Sequence, residues 1–178
     1  IAQKAAKPKI EKVYLDLTDT TKNGYTIFYP AKLPLKGYLF LIPGFGETAE
    51  NVVQQTNLPN TLALNGIMTI IPTFQDGVLS LGVDSKSQQS FENIINDVTS
   101  KHKLIDQKMY VGGFSIGGSC AIKYAENAKT KPTAVFAIDP PLDFERFYKA
   151  AKRDIRLSKN REPNPENIYM IDRLEKET

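Results

Sequence analysis

Residues 110–118 read Tyr-Val-Gly-Gly-Phe-Ser-Ile-Gly-Gly, which places Gly113, Ser115 and Gly117 in the pattern G-x-S-x-G. The spacing has a steric reason. Where a strand ends and a helix begins within a single residue, a side chain two positions before or after the Ser would strike backbone, and glycine avoids the clash. The same turn lifts the Ser hydroxyl above the strand end, where the first amides of the following helix face any negative charge that develops. The chemistry expected is nucleophilic attack by Ser115 on a carbonyl. The plainer alternative is a Gly-rich strand–helix turn in which Ser115 only caps the helix. Phosphate loops of the G-x-x-x-x-G-K-[ST] type and dinucleotide loops of the G-x-G-x-x-G type are absent.

The elements around this motif are legible from periodicity. Two β-like runs, Val13–Leu17 and Tyr25–Tyr29, flank the turn signal Asn23-Gly24 and predict antiparallel neighbours. Gly37–Ile42 is a continuous apolar run closed by Pro43-Gly44, as in a strand covered on both faces. A helix over 48–64, interrupted near Pro59, precedes a strand at Met68–Phe74 and a Gly- and Ser-rich loop through 75–85. Phe91, Ile94, Ile95 and Val98 form one helical stripe. Then follow a strand at Met109–Phe114, a helix from Ser115 to about Ala128 and a strand at Ala134–Ile138. The expected class is α/β: an open, mostly parallel sheet with an N-terminal antiparallel hairpin and helices on both faces.

The last forty residues break the alternation. Leu142, Phe144, Phe147 and Tyr148 sit at helical spacing in a basic segment, and Asn164-Pro165 reads as the cap and first residue of a final helix striped by Ile168, Ile171 and Leu174.

A second motif precedes the Ser. Leu39–Ile42 runs into Pro43-Gly44-Phe45-Gly46-Glu47-Thr48. With both motifs in this order, residues 12–141 resemble the N-terminal two-thirds of an α/β-hydrolase of the esterase and lipase kind. In that family the loop after the third strand commonly reads His-Gly-x-Gly and supplies one backbone N–H to an oxyanion hole. Pro43 stands at the His position here, and the resemblance implies the amides of Phe45 and Ile116 as the oxyanion pair. Backbone amides serve that role, so the Pro changes little; a simple Pro-Gly turn is the alternative. The implied organisation is a lead-in at 1–12, a six-stranded core at 13–141 and a helical segment at 142–178 that starts a lid, together an incomplete α/β-hydrolase fold.

The resemblance also implies partners for Ser115: an Asp or Glu, then a His, later in the chain. No His follows Ser115. The single His, His102, precedes the strand that delivers the Ser, and seven extended residues at about 3.3 Å each put it roughly 20 Å away, against about 3 Å for a hydrogen bond. Asp139, at the end of its strand, and Asp143 are candidate acids, and Asp139 before Pro140-Pro141 equally reads as a turn residue. The expected function is a serine hydrolase that cleaves carboxylic esters through an acyl-enzyme, with two more strands, the acid and the His outside these residues. A non-catalytic binding module on the same scaffold is one alternative, and a thioesterase, peptidase or acyltransferase another.

Composition bounds the partners. With 178 residues, 23 Lys+Arg interspersed with 20 Asp+Glu, and no apolar run of membrane-spanning length, the chain reads as soluble, without a nucleic-acid surface. A small-molecule ester or acyl compound is the expected substrate, and self-association through the unfinished sheet is expected too. The one cysteine, Cys120, lies on the apolar side of a helix and reads as a buried small hydrophobe; no metal or organic cofactor is implied. The chain starts Ile1-Ala2-Gln3, which implies a processed, trimmed or engineered start, and exported and cytoplasmic locations both fit.

Overall fold

A computed structural model describes residues 8–30, 34–158 and 161–177. Among these residues six strands and six helices follow in the order β1 (Ile10–Tyr14), β2 (Gly24–Phe28), β3 (Gly37–Ile42), α1 (Ala49–Gln55), α2 (Leu58–Leu64), β4 (Ile67–Thr73), α3 (Ser85–His102), β5 (Met109–Phe114), α4 (Ile116–Asn127), β6 (Ala134–Ile138), α5 (Phe144–Leu157) and α6 (Pro165–Glu177). The strands form one open sheet in the order β1-β2-β4-β3-β5-β6. β1, β2 and β4 pair antiparallel, while β4, β3, β5 and β6 run parallel. The expected class holds.

The alternation of β3 explains the layers. Tyr38, Phe40 and Ile42 face one side, where they join Phe91, Ile94 and Val98 of α3 and Cys120, Ala121 and Tyr124 of α4. Leu39 and Leu41 face the other, with Ala49 and Val52 of α1 and the flanking Leu58 and Leu62 of α2. Period-two alternation thus feeds two separate cores, one on each face. A fully buried side chain such as Phe40, Leu41 or Phe91 contributes about 1.5–3 kcal/mol.

Several boundaries differ from the sequence pattern. β1 covers Ile10–Tyr14 rather than Val13–Leu17, because the Asp16 carboxylate accepts hydrogen bonds from the Thr18 amide at 2.8 Å and hydroxyl at 2.6 Å and turns the chain out of the strand. The expected helix at 48–64 is two helices. The break falls at Thr56-Asn57, ahead of Pro59, which sits in the first turn of α2 where its missing N–H costs nothing. Leu142 lies before α5, since Asp143 caps that helix by accepting from the Arg146 amide at 2.8 Å.

Residues 1–140 and 141–178 are two compact units. In the second, Asn164 accepts from the Glu166 amide at 3.0 Å at the start of α6, and Tyr148 and Lys152 of α5 both donate to Glu175 of α6, at 2.5 and 2.9 Å. Among the described residues no helix is long and apolar enough to cross a membrane.

Candidate active site

The strand–helix turn after β5 is as tight as the glycine spacing predicts. Ser115 has φ 49° and ψ −124°, a backbone conformation that a residue with a side chain adopts only under strain. A Cβ on Gly113 would lie 2.4 Å from the Gly117 carbonyl carbon, and one on Gly117 would lie 2.3 Å from the Pro43 oxygen and 2.4 Å from that of Ile42. Real Cβ atoms make no such contacts, so both positions require glycine. A Cβ on Gly112 would lie 2.3 Å from the Phe136 ring, a side chain rather than backbone.

The turn is fixed on both sides. The Ser115 amide donates to the Ile138 carbonyl of β6 at 2.9 Å, and its carbonyl accepts from the Gly118 amide at 2.9 Å. The Ser115 side chain makes no capping bond and is exposed, unlike the N-capping alternative. Ile116, as the first helical residue, has an amide with no acceptor within its own helix.

The closeness of Gly117 to Ile42 and Pro43 brings the loop after β3 against the start of α4. A small hollow there is lined by Pro43, Gly44, Glu47, Ile116 and Gly117 among others. Gly44–Glu47 is a β-turn, with the Glu47 amide donating to the Gly44 carbonyl at 3.2 Å and Gly46 at φ 74° in its third position. Phe45 sits at its tip. Gly44 donates to Glu47 Oε2 at 2.8 Å, and Gly46 to the Val78 carbonyl at 2.9 Å. Gln55 of α1 donates to the other Glu47 oxygen at 2.5 Å.

Glu47 and Val78 therefore shape the loop that carries Phe45, and sequence reasoning assigned neither a role. For Glu47 the signal was its place three residues after Gly44, one turn length away. Val78 works through its carbonyl, which leaves no trace in residue type.

The structure also separates candidates. His102 ends α3 beside Tyr29, with ring centroids 5.6 Å apart, and burial lowers its pKa below the usual range. Tyr29 follows Phe28, which pairs with Thr69 near the start of β4, so this is the sheet edge opposite Ser115. Asp139 is at the same edge as Ser115, exposed, at φ 52°, directly after the Ile138 whose carbonyl holds the Ser115 amide. Asp143 is engaged as the α5 cap. Cys120 is fully buried, and burial pushes its thiol pKa up, which keeps it protonated.

What this turn can do is limited and specific. It presents an exposed hydroxyl beside amides at a helix start, with no imidazole at its edge among the described residues.

No protein-family model matches the chain, and no curated protein matches its sequence. Solved structures do match its fold. A monoglyceride lipase from Saccharomyces cerevisiae superposes with a TM-score of 0.59 at 19% identity, over 87% of this chain and 54% of that one. A thermostable carboxyl esterase from Bacillus coagulans gives 0.61 at 13% identity, over 91% and 55%. The fluorophosphonate-binding serine hydrolase F of Staphylococcus aureus gives 0.62 at 15% identity, over 97% and 75%. The chain thus spans about half the length of the first two. Strand order, two-faced packing and these superpositions agree: the chain has the α/β-hydrolase fold.

Proposed function

We propose that Ser115 is the nucleophile of a serine hydrolase acting on carboxylic esters, and that the turn around it is a nucleophile elbow. The observation that carries this reading is the strained Ser115 backbone, wedged between two glycines that tolerate no Cβ, with its side chain exposed rather than capping. Strain of about 1–3 kcal/mol at one residue persists where function uses it. A binding module has no use for it.

In the proposed step Ser115 Oγ bonds to the ester carbonyl carbon as its proton passes to a base. The carbonyl π electrons move onto oxygen, and the amides of Ile116 and Phe45 stabilise that charge. The intermediate then collapses with loss of the alcohol, leaving an acyl-enzyme that water hydrolyses. Asp139, which follows the Ile138 that holds the Ser115 amide, is one candidate carboxylate to orient a base, and an acid outside these residues is the other. The base itself is not His102. In this reading a His from outside these 178 residues supplies it, and the helical unit 141–178 is the start of a lid.

Exogenous base provides the test. With imidazole in the buffer, hydrolysis of p-nitrophenyl acetate should exceed the imidazole-only rate, and the excess should vanish in Ser115→Ala yet survive in His102→Gln. No excess over the imidazole control, or an excess retained in Ser115→Ala, counts against the proposal.

A further inference from the structure

A second cleft opens at the same edge of the sheet. Tyr14 ends β1, Gly24 begins β2 and Thr73 ends β4, and their pairing aligns all three with the edge where β3 and β5 end. These strand ends, the start of α1 and the loop at 76–79 enclose about 490 Å³, a volume within the usual range for small-molecule sites. Thr73, Gly77 and Val78 line both this cleft and the hollow beside Ile116. Val78 also holds the Gly46 amide, so one loop walls the cleft and braces the Phe45 turn.

The lining has a definite chemistry. Thr20, Thr21 and Thr48 line it; the Thr21 hydroxyl donates to Asp19 at 2.5 Å and that of Thr48 to Asn51 at 3.0 Å, so these two meet a ligand as acceptors, and Tyr14 lines it as a residue 41% exposed. Its charges cancel: Lys12 and Lys22 are matched by Glu50 and Asp76. Lys12 is ion-paired with Glu50, and Lys22 with Asp19 at 2.9 Å. Cations already neutralised at contact distance offer little field to an anion. What fits is a neutral ligand with many hydroxyls and one apolar face: hydroxyls that donate to the Thr side chains, the apolar face for Tyr14.

We propose that this cleft binds carbohydrate, as the alcohol part of the ester that Ser115 cleaves. The assignment to the alcohol side rests on the reading of Ser115 as the nucleophile; carbohydrate binding does not. Sugars carry hydroxyls that become esterified, so the neutral polyhydroxylated portion belongs on that side of the bond. β2 lies three strands from β5, about 14 Å at the usual strand spacing. The sugar must therefore be extended, with more than one ring.

Xylotriose and cellotriose, titrated into the full chain and followed by saturation-transfer NMR, provide the probe. At least one should bind, equally in wild type and Ser115→Ala. Tyr14→Ala should weaken it about tenfold, ~1.4 kcal/mol, Tyr14→Phe should retain it, and Thr20→Trp, which fills the cleft, should abolish it. Absence of binding by both sugars, binding indifferent to Tyr14→Ala and Thr20→Trp, or displacement by inorganic phosphate would overturn the proposal. Sugar binding with no reactivity at Ser115 would refute the nucleophile and leave the cleft standing; reactivity without sugar binding would do the reverse.

Discussion

The amide of Ser115 donates to the carbonyl of Ile138 at 2.9 Å, which fastens the strained turn after β5 to the last residue of the neighbouring strand. Together with the Gly117 contact to Pro43 and Ile42, this holds the turn between β3 and β6, so its geometry is imposed by three strand ends rather than by the pentapeptide alone.

Gly117→Ala should destabilise the chain by about 3 kcal/mol or more, the upper end for overpacking, because both clashing atoms are backbone oxygens that no rotamer change can move. Gly46→Ala is the contrast. Its Cβ would meet nothing within 4 Å, and only the positive φ of 74° opposes it, so about 1 kcal/mol is expected. Urea midpoints of the two variants measure the difference, and equal losses would mean that the turn is not sterically closed.

Ser115→Gly should stabilise the fold while abolishing reactivity. Relief of about 1–3 kcal/mol of strain is offset by up to ~1 kcal/mol for the added freedom of glycine in the unfolded chain. A net gain of about 1 kcal/mol in urea unfolding is predicted. A loss would show that the backbone conformation carries no strain.

His102 should make stability depend on pH between 5.5 and 7.5. Burial lowers its pKa from 6.5, and nearby Glu11 pulls the other way less strongly. Below the ordinary value the unfolded chain takes up a proton that the folded chain refuses, so stability falls as pH drops through 6.5 towards the lowered pKa. The carboxylates with lowered values, such as Glu11 and Asp19, start from 4.5 and 3.8 and act only at lower pH. Denaturant unfolding at pH 7.5 and 5.5 should show the loss in wild type and flatten in His102→Gln.

How much of this was legible in the sequence follows from what each signal encodes. The stripe Phe91, Ile94, Ile95 and Val98 and the run at β3 were readable because burial selects apolar residues at the element's own period, and all of these are buried. The turn around Ser115 was readable because two glycines there have a steric cause. The end of β1 was missed because Leu15 and Leu17 continue the alternation although both are exposed, while the local Asp16–Thr18 bonds decide the backbone. The cleft at Tyr14 was invisible, since it is assembled from strand ends that only the sheet order brings together.

Among the described residues β6 pairs on one side only, with β5, and exposes Val135 and Ile138. An unpaired apolar edge invites a second chain, so sedimentation should show mass rising with concentration, and Val135→Lys should suppress the rise. A constant monomer mass would contradict this.

The most direct measurement is the site of covalent capture by a fluorophosphonate probe, read by peptide mass spectrometry on the folded chain. The account predicts a slow adduct on Ser115 alone, unchanged in His102→Gln and absent after unfolding. An adduct on another residue, or labelling of Ser115 no faster in the folded chain than in the unfolded one, would contradict it.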